Sequence, residues 1–277
     1  MKVILSRKGF DSTSGGYPSP ILPNGVLQSL PIPDYYATTE YSKVKSRYKE
    51  MSLYDIMIKI KPWFVDPEGK WNLDEKESCH LDPDIDKGAL KRSRGWRGCF
   101  GQVGAAQTVL EKAGVDAGDL FLFFGWFRFC NSVSSNQIQM VKGDGKHVIF
   151  GYLQVDKKIY PCRDDIPEWL KDHPHAGGTA GNNCIYIARQ KSTWDKNVPG
   201  YGVFDYSPEL VLTKEGMPKS RWNLPDIFRG LDITYHKQSS WKDGYFQSAG
   251  RGQEFVVEEN DAIMAWAQDL VSQHVVL

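Results

Sequence analysis

The stretch Leu120-Phe121-Leu122-Phe123-Phe124-Gly125-Trp126-Phe127 is apolar on both faces. A strand of that composition must be covered on either side, so it predicts the central strand of a sheet around which the rest is arranged. Asp116, Gly118 and Asp119 turn the chain into it. Just upstream, Val103, Ala106, Gln107, Leu110 and Ala113 recur at helical spacing, and Gly114 stands where a C-terminal glycine cap belongs. Downstream, Gln137 to Val141 and His147 to Val155 flank Lys142-Gly143-Asp144-Gly145-Lys146, the composition of a hairpin turn. Lys2 to Leu5 reads as a short buried strand, Pro167 to Asp172 as a short helix, and Cys184 to Ala188 and Glu209 to Thr213 as further strands. Ile263, Trp266, Ala267, Leu270 and Val271 lie on one helical face and predict a helix near Glu258 to Gln273, with acidic residues at its start. The expected class is α+β: a mixed or antiparallel sheet, or a partly open barrel, with flanking helices that include a C-terminal one.

The first third is less regular. Pro18, Pro20, Pro23, Pro31 and Pro33, with the turn signal Asn24-Gly25, predict extended segments and turns wrapped over the core. Thr38 to Lys61 has a weak helical face at Val44, Tyr48, Met51 and Leu53, and the charged stretch Asp74 to Arg94 reads as variable or mobile. With 277 residues the chain is long enough for one large domain or two small ones. Lys plus Arg and Asp plus Glu balance at 34 each, which argues against a strongly basic nucleic-acid coat and makes any anion site local. Five cysteines without a Cys-x-x-Cys pair argue against a disulfide framework or zinc ribbon and fit a reducing cytoplasm. No apolar run is long enough to span a bilayer, so no membrane partner is expected.

Several constellations carry chemistry. Ser6-Arg7-Lys8-Gly9-Phe10-Asp11-Ser12-Thr13-Ser14-Gly15-Gly16 leaves the first strand with cations, hydroxyls and glycines suited to an anion, yet lacks the Walker and Gly-x-Gly-x-x-Gly spacings. Ser6, Arg7, Lys8 and Ser12 are its candidate phosphate contacts and Asp11 its candidate acid or base. In His80-Leu81-Asp82-Pro83-Asp84, alternation along an extended segment could turn His80, Asp82 and Asp84 to one divalent cation, magnesium or manganese; the plainer reading is a solvated acidic turn. Arg92, Arg94 and Arg97 surround Trp96 before the helix, the parts of a phosphate-and-base corner or of a basic loop with a packed indole. His173-Pro174-His175 offers a general base, with His173 as candidate, or a metal ligand, or a loop cap. Gln253 and Glu254, in a glycine-flanked turn, could read a base edge and act as acid or base, or belong to a plain turn.

The strings Val3-Ile4-Leu5-Ser6-Arg7-Lys8-Gly9-Phe10-Asp11-Ser12, Pro18-Ser19-Pro20-Ile21-Leu22-Pro23 and Leu30-Pro31-Ile32-Pro33 occur together with His80-Leu81-Asp82-Pro83-Asp84 and Gly101-Gln102. With Gly118 to Phe127 and Gly252-Gln253-Glu254-Phe255, they resemble the nucleotide modification associated domain 3 family of bacteria and phages. The likeness spans nearly the whole chain and implies a single elaborated domain over residues 1–277. It implies a substrate class, nucleotide or nucleic acid, and carries over no catalytic residue. His147 to Val155, after the Gly-Asp step into the central strand, is similar to PUA-like barrels of the ASCH and EVE kind, which bind RNA or modified bases. The leading expectation is a protein that binds a nucleotide or nucleic acid and takes part in its modification. A non-catalytic reader of modified nucleic acid and a phage or host-defence interaction protein are its rivals. Oligomeric state is not legible.

Overall fold

The computed structural model describes residues 1–61, 63–66, 69–134 and 137–276. In chain order the elements are β1 (Val3–Arg7), β2 (Ser19–Ile21), α1 (Leu53–Ile60), β3 (Trp63–Asp66), β4 (Gly69–Asn72), β5 (Cys99–Gln102) and α2 (Gly104–Lys112). They continue with β6 (Leu120–Ser134), β7 (Gln137–Met140), β8 (Lys146–Ile159), β9 (Cys184–Ala188) and β10 (Tyr201–Val203). The last are β11 (Arg221–Trp222), β12 (Trp241–Lys242), β13 (Tyr245–Gln247), β14 (Glu254–Val257) and α3 (Asp261–His274).

Among the described residues, nine strands form one mixed sheet with the spine β14-β1-β6-β8-β9-β5. The doubly apolar stretch is its centre. Phe121, Leu122, Phe123 and Phe124 are fully buried, as a strand covered on both faces demands. One edge of β6 takes β1 and then β2, both parallel; the other takes β8 and then β7, both antiparallel. The sequence 142–146 therefore does not close a hairpin. It joins two strands lying end to end along β6, so β7 and β8 pair with β6 rather than with each other.

The sheet curves until its two edge strands face one another: Gln102 at the end of β5 donates from Nε2 to Glu254 Oε1 on β14 at 2.7 Å. Phe100 of β5 packs edge-on against Phe121 and Phe123 of β6 inside that curve, at 5.1 and 5.3 Å between ring centres. No ladder joins β5 to β14 among the described residues, so the sheet is open and no closed barrel forms.

Local signals account for the helices. α2 ends at Gly114, whose φ of +64° suits glycine. α3 starts at Asn260, whose side chain accepts from the backbone N–H groups of Ala262 and Ile263, and it buries Ile263, Ala267, Leu270 and Val271. α1 begins at a capping box in which Ser52 and Asp55 satisfy each other's backbone N–H groups, and it buries Leu53, Ile56 and Met57. Two expected elements are reduced: Pro167 to Asp172 contains a single 3-10 turn at Glu168–Leu170, and Glu209 to Thr213 a 3-10 turn at Pro208–Leu210 followed by isolated bridges. The charged stretch 74–94 is not a surface fringe. It carries Cys79, Asp84, Ile85 and Ala89 into the interior and passes beside β5, where Asp84 exchanges backbone hydrogen bonds with Cys99.

Candidate functional site

Where the curved sheet brings β1, β5 and β14 together, a cleft of about 380 Å³ opens. It draws on distant parts of the chain: Arg7, Lys8, Gly9, Asp11, then His80 and Asp82, then Gly101 and Gln102, then His175, and finally Gly252 and Gln253. Four of the five sequence segments singled out above thus share one cavity; the Arg92–Arg97 segment does not reach it.

One wall is an ion pair built across the sheet edges. Lys8 Nζ lies 2.7 Å from Glu254 Oε1, with the two side chains 8% and 0% exposed. The same ammonium stands 4.4 Å from the centre of the Phe100 ring. Ser6 pairs in register with Glu254 on the neighbouring strand, and both are fully buried. Ser6 Oγ and Glu254 Oε2 find no partner among the described residues. A buried carboxylate oxygen without a donor is costly, so this wall holds unused hydrogen-bonding capacity.

On the opposite wall His80 and His175 flank Asp82, with His173 buried behind it. Gly101 N–H donates to Asp82 Oδ1 at 2.7 Å; His173 Nε2 approaches the same oxygen at 3.4 Å, and His175 Nε2 lies 3.9 Å from Oδ2. Burial opposes the charged form of Asp82, but His173, His175 and His80 outweigh it and the carboxyl is pushed down to about 2. His175 is held below the usual histidine range, chiefly by burial. His80 and His175 meet edge to face at 5.1 Å, and one ligand atom each from His80, Asp82 and His175 all lie within 4.8 Å of one another.

Backbone geometry makes this approach possible. A Cβ on Gly101 would stand 2.3 Å from His175 Cδ2, so only glycine lets that ring lie against β5. A Cβ on Gly178 would meet Asn183 Nδ2 at 2.4 Å, and Asn183 is the residue that holds the His175 ring through Nδ1 at 2.6 Å.

The remaining sequence candidates fall outside these two walls. Asp11 Oδ1 accepts from Thr13 N, Thr13 Oγ1 and Ser14 N, a turn-capping arrangement at the rim of the cleft. Backbone N–H groups of the opening loop turn inward: those of Lys8, Phe10, Asp11 and Gly16 bond to Phe124, Leu30, Ser14 and Asp11 carbonyls. Arg7 spends its guanidinium on the carbonyls of Ala249, Gly250 and Gly252, and so fastens the turn that carries Gln253. Ser12 is exposed.

Asp84 is not brought to the histidines. Its two oxygens accept from Arg92 Nη1 and Nη2 at 2.7 and 2.6 Å, and Trp96 stacks on that guanidinium at 3.8 Å. With His173 they line a separate hollow of about 90 Å³. Arg97 pairs with Asp156 at 2.7 Å, and Arg94 is exposed. Asp34, Gln102 and Asn183 are the parts of the site for which the sequence offered no signal of role, because each acts through a partner far away in the chain.

No helix among the described residues is long and apolar enough to cross a membrane. Among curated proteins and solved structures, none matches the chain. The family model described as nucleotide modification associated domain 3 matches residues 2–258, a span that contains every strand of the sheet and both walls of the cleft. The chain therefore belongs to the nucleotide modification associated domain 3 family.

Proposed function

We propose that this protein binds a nucleotide or a nucleic-acid base in the cleft between β1, β5 and β14 and takes part in its modification there. The observation that carries the reading is convergence: buried ionisable groups from four distant segments face one cavity, the arrangement expected where chemistry is done. The exposed Gln253 amide suits a base edge, and the Lys8 ammonium on the cavity wall, already paired with Glu254, suits a neighbouring phosphate or base carbonyl. Asp82 and the histidines are the groups able to hold or move a proton. The Arg92–Trp96 corner is spent on Asp84, which favours the cleft over that corner as the ligand site. The same reading places the protein, as one domain, in a reducing cytoplasm, in keeping with its free cysteines.

Equilibrium binding of nucleoside monophosphates and short oligonucleotides tests this. Gln253→Ala and Asp11→Ala are expected to weaken binding; Gln253→Ala, at an exposed position, should leave the unfolding curve in place, while Asp11→Ala also loosens the turn that its carboxylate caps. A chain that binds neither class of ligand, or binds them equally well after both substitutions, contradicts the reading. Conversion of a bound nucleotide to a product of changed mass distinguishes an enzyme from a reader.

A further inference from the structure

Histidine tautomers decide what the second wall of the cleft can do. His80 Nδ1 stands 2.8 Å from Asp34 Oδ2, and an ionised carboxylate can only accept, so that nitrogen carries the proton. His175 Nδ1 stands 2.6 Å from Asn183 Oδ1. The Asn183 amide is oriented by its own Nδ2, which donates to the carbonyls of His175 and Gly178 at 2.7 and 3.3 Å, so Oδ1 is the acceptor and His175 Nδ1 the donor. In the neutral form of either ring, Nε2 is then a bare lone pair.

His173 is arranged the other way round. Its Nδ1 accepts from the backbone N–H of His175 at 3.2 Å, which puts the proton on Nε2, facing Asp82 Oδ1. Three rings in one cluster thus take two different tautomers: those of His80 and His175 are fixed by side chains outside the cluster, that of His173 by the His175 backbone. His173 steadies the carboxylate, whereas His80 and His175 aim lone pairs at the space beside it.

From this geometry we infer that His80, Asp82 and His175 form a binding site for one first-row transition-metal dication, held by Nε2 of each histidine and a carboxylate oxygen of Asp82. One ligand atom from each of the three residues already lies within 4.8 Å of the others, and the Nδ1 partners Asp34 and Asn183 are the outer-shell groups that orient metal-binding imidazoles. A simple ion pair does not explain the arrangement. The approaches of His173 and His175 to Asp82, 3.4 and 3.9 Å, exceed the roughly 2.7–2.9 Å of a charge-assisted hydrogen bond, and in its fixed tautomer His175 has no proton to offer.

The donor set also selects the ion. Two imidazoles and one carboxylate suit manganese, iron, cobalt or zinc, whereas magnesium prefers an all-oxygen shell with retained waters. Three protein donors leave coordination positions for water or substrate, and the site lines the same cavity as Lys8, Gln102 and Gln253. Asp84, locked by Arg92, takes no part.

Chelator-treated full-length protein titrated with cobalt(II), followed by its visible absorption, tests the site without any nucleotide, so it stands or falls separately from the proposed function. The expected result is saturation at one equivalent, competition by zinc or manganese, and no displacement by an equal concentration of magnesium. His175→Gln and the less buried His80→Gln should both abolish saturation while keeping the far-ultraviolet circular dichroism of the parent. Absence of saturable cobalt binding by the folded protein overturns the inference. So does saturation that survives in either folded variant, or displacement by equal magnesium.

Discussion

Asp34 Oδ2 accepts a hydrogen bond from His80 Nδ1 at 2.8 Å, linking the proline-rich first third of the chain to the wall of the cleft. Burial alone would raise the Asp34 carboxyl; the His80 bond and the backbone N–H groups of Tyr36 and Ala37 bring it below the usual carboxylate range instead. Because this residue orients the ring without touching the cleft, Asp34→Ala should fold normally and weaken transition-metal affinity roughly tenfold to a hundredfold. Cobalt titration of the variant checks the loss; unchanged affinity would mean that His80 needs no such orientation.

How the site was legible follows from which signals are local. Apolar residues on both faces of 120–127 place a central strand whatever its neighbours do, and helical spacing plus a glycine cap place α2. What pairs with β6 is settled by long-range register, so the glycine-rich stretch 142–146 gave the wrong partner for β7. At the site, His80 and Asp82 do face one cavity, as alternation along an extended segment implies, but the pattern stops at Pro83 because Asp84 enters a bridge with Cys99 and meets Arg92. His175 stands 95 residues from His80 in the sequence; the pairing of β9 with β5, and the packing of the His175 ring on Gly101, bring the two together.

Gly101→Ala is predicted to be far worse than its size suggests. The added methyl would stand 2.3 Å from the His175 ring, and neither β5 backbone nor a buried imidazole held by Asn183 can yield easily. We expect a loss of about 1–3 kcal/mol in urea unfolding and loss of cobalt binding together. A stable variant that binds cobalt normally would show that the ring has room to move.

The Lys8–Glu254 pair should reveal its burial through asymmetry. Lys8→Met leaves a fully buried carboxylate without its cation and should cost about 3–5 kcal/mol, whereas the double change Lys8→Met, Glu254→Leu should recover much of it. Chemical denaturation of the single and double variants measures this, and a double variant no better than the single would refute the account of the pair.

Acid should destabilise the protein well before its carboxylates titrate. His147 is buried, with its Nδ1 accepting from Trp222 Nε1, and burial pushes its pKa down to about 3. Below the unfolded value of about 6.5 the unfolded chain binds a proton that the folded chain refuses, so stability falls as pH drops, by about 2 kcal/mol near pH 5 from this residue alone. The depressed carboxyls of Asp82 and Asp34 add a further loss as pH falls below about 4, while Asp84, which burial pushes up, opposes it. Urea unfolding at neutral and mildly acidic pH should show a smaller difference in His147→Phe than in the parent.

The central claim is that one cleft unites the histidine–aspartate cluster with the nucleotide. Crystals grown with manganese(II) and a nucleoside monophosphate, measured for anomalous scattering, test it most directly. The account predicts one manganese peak between His80 Nε2, Asp82 and His175 Nε2, with the nucleotide in the same cavity against Lys8 and Gln253. An unoccupied cleft with the nucleotide seated instead at the Arg92–Trp96 hollow would contradict it.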